Sequence, residues 1–152
     1  MTRQLGTVGG VLLGLLVLAL AGRADEAAAV KAIKKLGGGV EVDTKQPGKP
    51  VVAVVLYNTR VTDVGLKELT GLKHLRALNL NDTTVTDVGL KEVKELKSLQ
   101  LLDLGHTKIT DAGLKELKEL KNLQWLALYG TKVTDAGVKE LQAALPGLKI
   151  LR

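Results

Sequence analysis

Apolar and polar positions alternate along the chain in two rhythms that take turns. In Leu78-Asn-Leu80 and Leu102-Asp-Leu104 the alternation has period 2, which predicts a short strand with one face inward. In Gly89-Leu-Lys-Glu-Val-Lys-Glu-Leu96 the apolar positions are three apart with Lys and Glu between them, which predicts a short helix carrying one buried stripe. The pair of rhythms repeats every 24 residues: Thr59-Arg-Val-Thr-Asp-Val-Gly-Leu66 returns as Thr83 to Leu90, Thr107 to Leu114 and Thr131 to Val138. A unit this short cannot bury its apolar side alone, so the copies must stack, with their strands paired in parallel and their helices on the opposite wall.

Three positions recur unchanged and each has a local structural reading. Thr62, Thr86, Thr110 and Thr134, each followed by Asp, read as helix starts, with the hydroxyl capping a free N–H and the carboxylate at the positive helix end. Gly65, Gly89, Gly113 and Gly137 fall in the first helical turn, where glycine costs ~1 kcal/mol relative to alanine, so close approach of neighbouring coils is expected there. Thr59, Thr83, Thr107 and Thr131 are expected to turn inward after each strand and to bond the backbone of the neighbouring turn.

The unit Leu-x-Leu-x-x-Thr-x-Ile-Thr-Asp-Ala-Gly-Leu, from Leu102 to Leu114, resembles the leucine-rich repeat family, specifically its ribonuclease-inhibitor-like, cysteine-containing subclass with an I-T-D-x-G-L signature. The resemblance covers about Val52 to Arg152. It implies a right-handed α/β solenoid with a parallel sheet on the concave face and short helices on the convex face, serving mainly in protein recognition. Thr59, Thr83, Thr107 and Thr131 stand where that family usually has Asn or Cys, and a hydroxyl donates one hydrogen bond where an amide donates two.

The two ends differ from the repeats. Residues 1–24 hold an early Arg3, an apolar stretch from Val11 to Ala21 and then small residues, the grammar of a signal peptide cleaved after Ala21 or Ala24, or of an uncleaved N-terminal anchor. Residues 25–50 are expected to form a cap: an Ala-rich helix stopped by Gly37-Gly-Gly39, a strand over Val40 to Asp43, and a turn around Gln46-Pro-Gly48. Residues 51–152 then hold four 24-residue units and a partial fifth strand, Leu148 to Arg152. Leu148, Ile150 and Leu151 are expected to form an uncapped edge, open to weak self-association.

Stacking aligns equivalent residues into columns. The outward ones run Ala53, Ala77, Leu101, Trp125; Val55, Asn79, Asp103, Ala127; Tyr57, Asn81, Gly105, Tyr129; and Asn58, Asp82, His106, Gly130. These columns change from copy to copy while the framework does not, as expected of a surface free of packing duty or adapted to a partner. The candidate partner-binding residues are Trp125, Tyr129, Leu101, Asp103, His106, Asn79, Asn81, Asp82 and Tyr57, with the two large aromatics as anchors. Trp125 could instead pack against Leu101 and the last strand. Asp82, Asp103 and His106 are the one group with acid/base character, and Asp82 is expected beside the His106 imidazole. No nucleophilic serine recurs near them and His74 belongs to another position, so no catalytic site is expected.

Composition narrows the rest. The 152 residues contain no Cys, which excludes disulfides, thiolate metal sites and thiol nucleophiles. No Gly-x-Gly-x-x-Gly or Gly-Lys-Ser/Thr cradle is present, so neither a nucleotide nor another cofactor is expected, nor a metal. Net charge is +6, and without Arg3 and Arg23 it is +4, from 20 basic against 16 acidic residues. Most lysines alternate with glutamates, which argues for a solvated face and against nucleic acid. Pairs such as Lys91 with Glu95 are expected along the helices. The sequence thus predicts a non-catalytic, secreted or periplasmic (cell-envelope) scaffold that binds another protein through its concave face. It predicts no membrane contact beyond the possible anchor. The alternative is a self-assembling envelope protein that uses the C-terminal edge.

Overall fold

Each 24-residue period becomes one coil: strand, turn, helix and return. The computed structural model describes residues 24–152. Residues 24–35 form helix α1. There follow β1 (Gly39–Val42), β2 (Val51–Val55), a 3-10 helix η1 (Asp63–Gly71), β3 (Ala77–Asn79), α2 (Leu90–Val93), β4 (Leu101–Asp103), α3 (Asp111–Leu117), β5 (Trp125–Ala127), α4 (Asp135–Ala144) and β6 (Lys149–Leu151). Of the expected signal or anchor segment, all but its last residue lies outside the described residues.

The six strands form one sheet in chain order. From β2 to β6 they pair in parallel with a register of one period, so Val54, Leu78, Leu102, Leu126 and Ile150 form a single row. The first four of that row are buried, and with Leu56, Leu80, Leu104 and Leu128 they wall the core on the sheet side. Each such leucine, fully removed from water, contributes roughly 1.5–3 kcal/mol. Leu66, Leu90, Leu114 and Leu141 close the core from the helix side. The helices stay short because each coil must return within its period; η1 takes 3-10 rather than α form, and α2 has one turn.

At the first coil β1 pairs antiparallel with β2, with Glu41 opposite Ala53. The hairpin turn is tied by the Asp43 carboxylate, which accepts from the Lys45 N–H and the Gln46 amide. Ala29 and Ile33 of α1 are fully buried in the common core, and Glu26 accepts from the Val51 N–H at 2.6 Å. Gly38 lets the chain pass beneath the sheet, since a Cβ there would stand 2.7 Å from Leu56 and 2.8 Å from the Val55 carbonyl.

The repeated polar residues act between coils more than within them. Asp63 accepts from the N–H (2.8 Å) and hydroxyl (2.7 Å) of Thr86; Asp87 holds Thr110 in the same way, and Asp111 holds Thr134. The recurring glycines make room for these carboxylates. A Cβ on Gly89 would lie 2.5 Å from Asp63 Oδ1, and one on Gly113 or Gly137 would overlap Asp87 or Asp111. The expected close approach therefore has a specific occupant. It fails only at Gly65, whose nearest neighbour is its own coil's Val61 at 3.2 Å. Asp63, Asp111 and Asp135 stand in the first helical turn as expected, and Asp63, Asp87 and Asp111 also reach to the next coil. Thr110 and Thr134 cap α3 and α4 as expected, the Thr86 hydroxyl accepts from the Val88 N–H ahead of α2 without capping that helix, and Thr62 caps nothing.

Three further expectations are corrected. The hydroxyls of Thr59, Thr83, Thr107 and Thr131 donate to the carbonyl three residues earlier in their own coil, at 2.6–2.8 Å, rather than to the neighbouring turn. A short side chain reaches its own strand end more easily than the next coil. On the convex wall the ion pairs also run between coils: Lys94 with Glu116, Lys97 with Glu119 and Lys118 with Glu140. The last strand departs from an open apolar edge, because Leu148 is buried and Ile150 half-buried, leaving Leu151 exposed. Arg152 folds back to donate to Asp135 and to the Val133 carbonyl.

Candidate functional site

Stacked strands place every second residue on the face opposite the core, so the register decides what that face displays. Across the sheet run Ala53, Ala77, Leu101, Trp125 and Lys149, and beside them Val55, Asn79, Asp103, Ala127 and Leu151. Small Ala53 and Ala77 next to large Leu101 and Trp125 leave a shallow groove of about 370 Å³ crossing the strands. Its walls are mostly hydrocarbon: Leu101 is 46% exposed, Val55 45%, Leu151 42% and Trp125 40%.

Trp125 stands in register between Leu101 and Lys149 of the last strand, as one expectation had it, yet remains 40% exposed. Its ring lies under the Lys149 ammonium, 4.5 Å from nitrogen to ring centre, and stays open to solvent on the groove side. Asp103 is held in place: its Oδ1 accepts from the Gly105 N–H at 2.9 Å and from the Asn81 amide at 3.2 Å. Asn79 in turn accepts from the Asn81 N–H at 2.9 Å. Gly105 is required by this network, because a Cβ there would stand 2.5 Å from the Asn81 amide nitrogen. Tyr57 and Tyr129 are exposed one turn beyond the strand ends.

Asp82 and His106 belong to a column whose variation is not freedom. Asn58, Asp82, His106 and Gly130 all have left-handed backbone, with φ of 51°, 56°, 52° and 64°. Asn, Asp, His and Gly are the residues that tolerate that region. The conformation turns each strand's exit so that the N–H groups of Asn58, Asp82 and His106 donate to the carbonyls of Asn81, Gly105 and Tyr129. The expected partnership of Asp82 with His106 does not form: among the described residues no hydrogen bond or ion pair joins them, and the His106 ring lies against Gly130 instead. Asp103 is likewise bonded to Asn81 and Gly105 rather than to the imidazole.

The structure thus brings Leu101, Asp103, Asn79 and Trp125 to one groove, with Asn81 supporting Asp103. Tyr57, Asp82, His106 and Tyr129 lie in the turns beyond the strand ends. Lys149, Leu151 and Val55 also line this face although they were not among the candidates. Extending the Trp125 and Ala127 columns by one more period, into a strand read only as an edge, is the signal that finds the first two.

The perturbed titrating groups lie in the contacts between coils. The Thr134 hydroxyl and N–H hold Asp111 below the usual carboxylate range. Lys97 does so for Glu119 and Lys118 for Glu140, while the hydrogen bond from Lys94 to Glu116 raises the Lys94 ammonium.

Comparison with known proteins agrees with this geometry. Residues 73–133 match the family model described as leucine rich repeat. An internalin, inlF, from Listeria monocytogenes is similar at 23% identity over 84% of this chain and 42% of its own, with a TM-score of 0.50. The leucine-rich-repeat ectodomain of the receptor kinase SOBIR1 from Arabidopsis thaliana is similar at 14% identity over 84% of this chain and 91% of its own, again with a TM-score of 0.50. At these identities the likeness is one of fold: an α/β solenoid of leucine-rich repeats. The chain spans less than half the length of the internalin. No curated protein matches the chain.

Proposed function

We propose that this solenoid of leucine-rich repeats is a non-catalytic scaffold that works outside the cytoplasm and binds another protein across its concave sheet. Leucine-rich repeats generally serve protein–protein contact. The observation that carries the assignment to this face is the groove itself. Leu101, Trp125, Val55 and Leu151 keep large apolar side chains in solvent on a rigid sheet, while their neighbours Val54, Leu102 and Leu126 on the same strands are buried. Exposed aromatic and aliphatic anchors on a preorganised surface favour association because little side-chain freedom is lost on binding.

Export is supported by the apolar segment of residues 1–24. No helix among the described residues is long and apolar enough to cross a membrane. N-terminal sequencing of protein made from the full chain should begin at Gly22 or Asp25; a start at Met1 in a membrane fraction would replace secretion with anchoring. Subclass membership with threonine in the ladder position rests on the signature Ile109-Thr-Asp-Ala-Gly-Leu114.

The binding face is tested by site-specific photo-crosslinking in cells that make the protein. A crosslinker at Ala77 or Tyr129 should capture a discrete protein adduct, and one at Lys91 on the helix side should not. Adducts from Lys91 alone would move the interface to the convex wall. A second reading, end-to-end self-association, is supported by the free outer edge of β6 and predicts a mass in light scattering that rises with concentration.

A further inference from the structure

The protein carries a net charge of +6, yet the strand residues on the groove's face hold two carboxylates and one ammonium. The register gives that face Glu41, which is exposed opposite Ala53, and Asp103, which lines the groove; at the strand exits Asp82 stands exposed, as do Arg60, Lys108 and Lys132 two residues past the other exits. The one basic residue on the strands of this face is Lys149, and its ammonium is already placed over the Trp125 ring. Lys94, Lys97 and Lys118 are spent in ion pairs on the opposite wall. Of the charged strand residues on this face, the two that flank the recess over Ala53 and Ala77 are thus the carboxylates Glu41 and Asp103.

Resting on the concave-face reading, we propose that the groove takes a cationic polypeptide segment: apolar side chains over Ala53 and Ala77 between Val55 and Leu101, flanked by Lys or Arg side chains that reach Glu41 at one end and Asp103 at the other. Glu41 and Asp103 are three strand spacings apart and offset by two residues along the strand, about 16 Å, a distance that about five residues of extended chain cover. Apolar groups in the recess remove Leu101 and Trp125 from water. The carboxylates select sign, because a like charge brought to Asp103 meets a carboxylate that the Asn81 amide and Gly105 N–H already hold in position.

The test uses Trp125, the single tryptophan of the chain, as its reporter. The full chain is titrated with the capped heptapeptide Lys-Ser-Leu-Ser-Leu-Ser-Lys and with its counterpart Glu-Ser-Leu-Ser-Leu-Ser-Glu, in low salt, following indole emission. The basic peptide should shift the emission with a midpoint about tenfold lower than the acidic one, the separation expected of two exposed charge pairs. That preference should shrink at high salt and disappear in the Glu41→Gln, Asp103→Asn double variant. An acidic peptide that binds as tightly would overturn the proposed chemistry while leaving the concave face as the interface. A preference that survives in the double variant would overturn the assignment to these two carboxylates. Emission unmoved by either peptide would overturn occupancy of the groove by such a segment, and the crosslinks at Ala77 and Tyr129 would then judge the concave-face reading separately.

Discussion

The helix side and the sheet face of the solenoid follow opposite rules. On the helix side the same bond is made at every step: Asp63 to Thr86, Asp87 to Thr110 and Asp111 to Thr134, each beneath a glycine that leaves space for the carboxylate. On the sheet face Ala77, Leu101, Trp125 and Lys149 are partners in register and differ in size and charge. Identity is kept where one coil must grip the next, and released where the sheet backbone already does so. The strand exits are the instructive intermediate: Asn58, Asp82, His106 and Gly130 differ in chemistry but all meet one backbone requirement.

Several substitutions would break or sharpen this contrast. Leu102→Asp, which puts a charge into the buried row of the sheet, should cost several kcal/mol and abolish a cooperative melt. Asp87→Ala removes both bonds to Thr110 and leaves its N–H unpaired, which should lower stability by about 2–3 kcal/mol in urea unfolding. Gly113→Ala must displace the Asp87 carboxylate and should cost about 1–3 kcal/mol, whereas Gly65→Ala, which has no such carboxylate beneath it, should stay within about 0.5 kcal/mol of wild type. His106→Val should lose about 1–2 kcal/mol through its positive φ, and His106→Gly should be tolerated.

The pH dependence separates the two kinds of inter-coil contact. Asp111, Glu119 and Glu140 have carboxyl groups held below their ordinary values, near 3.8 for Asp and 4.5 for Glu. Their stabilisation is therefore complete above those values and is lost as pH falls through them toward the folded-state values. Lys94 is raised above 10.5, so its contribution is present below that pH and fades as pH rises past it. Acid melts in high salt should retain the loss due to Asp111, whose largest partner is the neutral Thr134 hydroxyl, while the Lys–Glu part is screened.

The architecture was legible because it rests on identity at a fixed offset. Leu78, Leu102 and Leu126 sit where alternation puts them, and Gly113 where close approach was expected. What escaped was the direction of the polar contacts. Thr-Asp looks like a helix start, and Lys-x-x-x-Glu looks like a pair on one helix, because a linear reading searches within a few residues. In a stacked coil the nearest polar neighbour is nearly a period away: 23 residues for Asp87 and Thr110, and 22 for Lys94 and Glu116. The four residue types at Asn58, Asp82, His106 and Gly130 could have announced the left-handed turn, since they share that tolerance and little else. The groove was half visible; its Leu151 wall, and Lys149 over the Trp125 ring, were hidden by reading the last strand as an edge.

The central claim, that the helix-side rungs hold the coils and leave the sheet face free for a partner, is tested most directly by urea unfolding of two variants side by side. The triple variant Tyr57→Ser, Leu101→Ser, Tyr129→Ser should unfold near the wild-type midpoint, and the single variant Asp87→Ala well below it. The reverse order, with the three exposed residues mattering more than the one rung, would contradict the account.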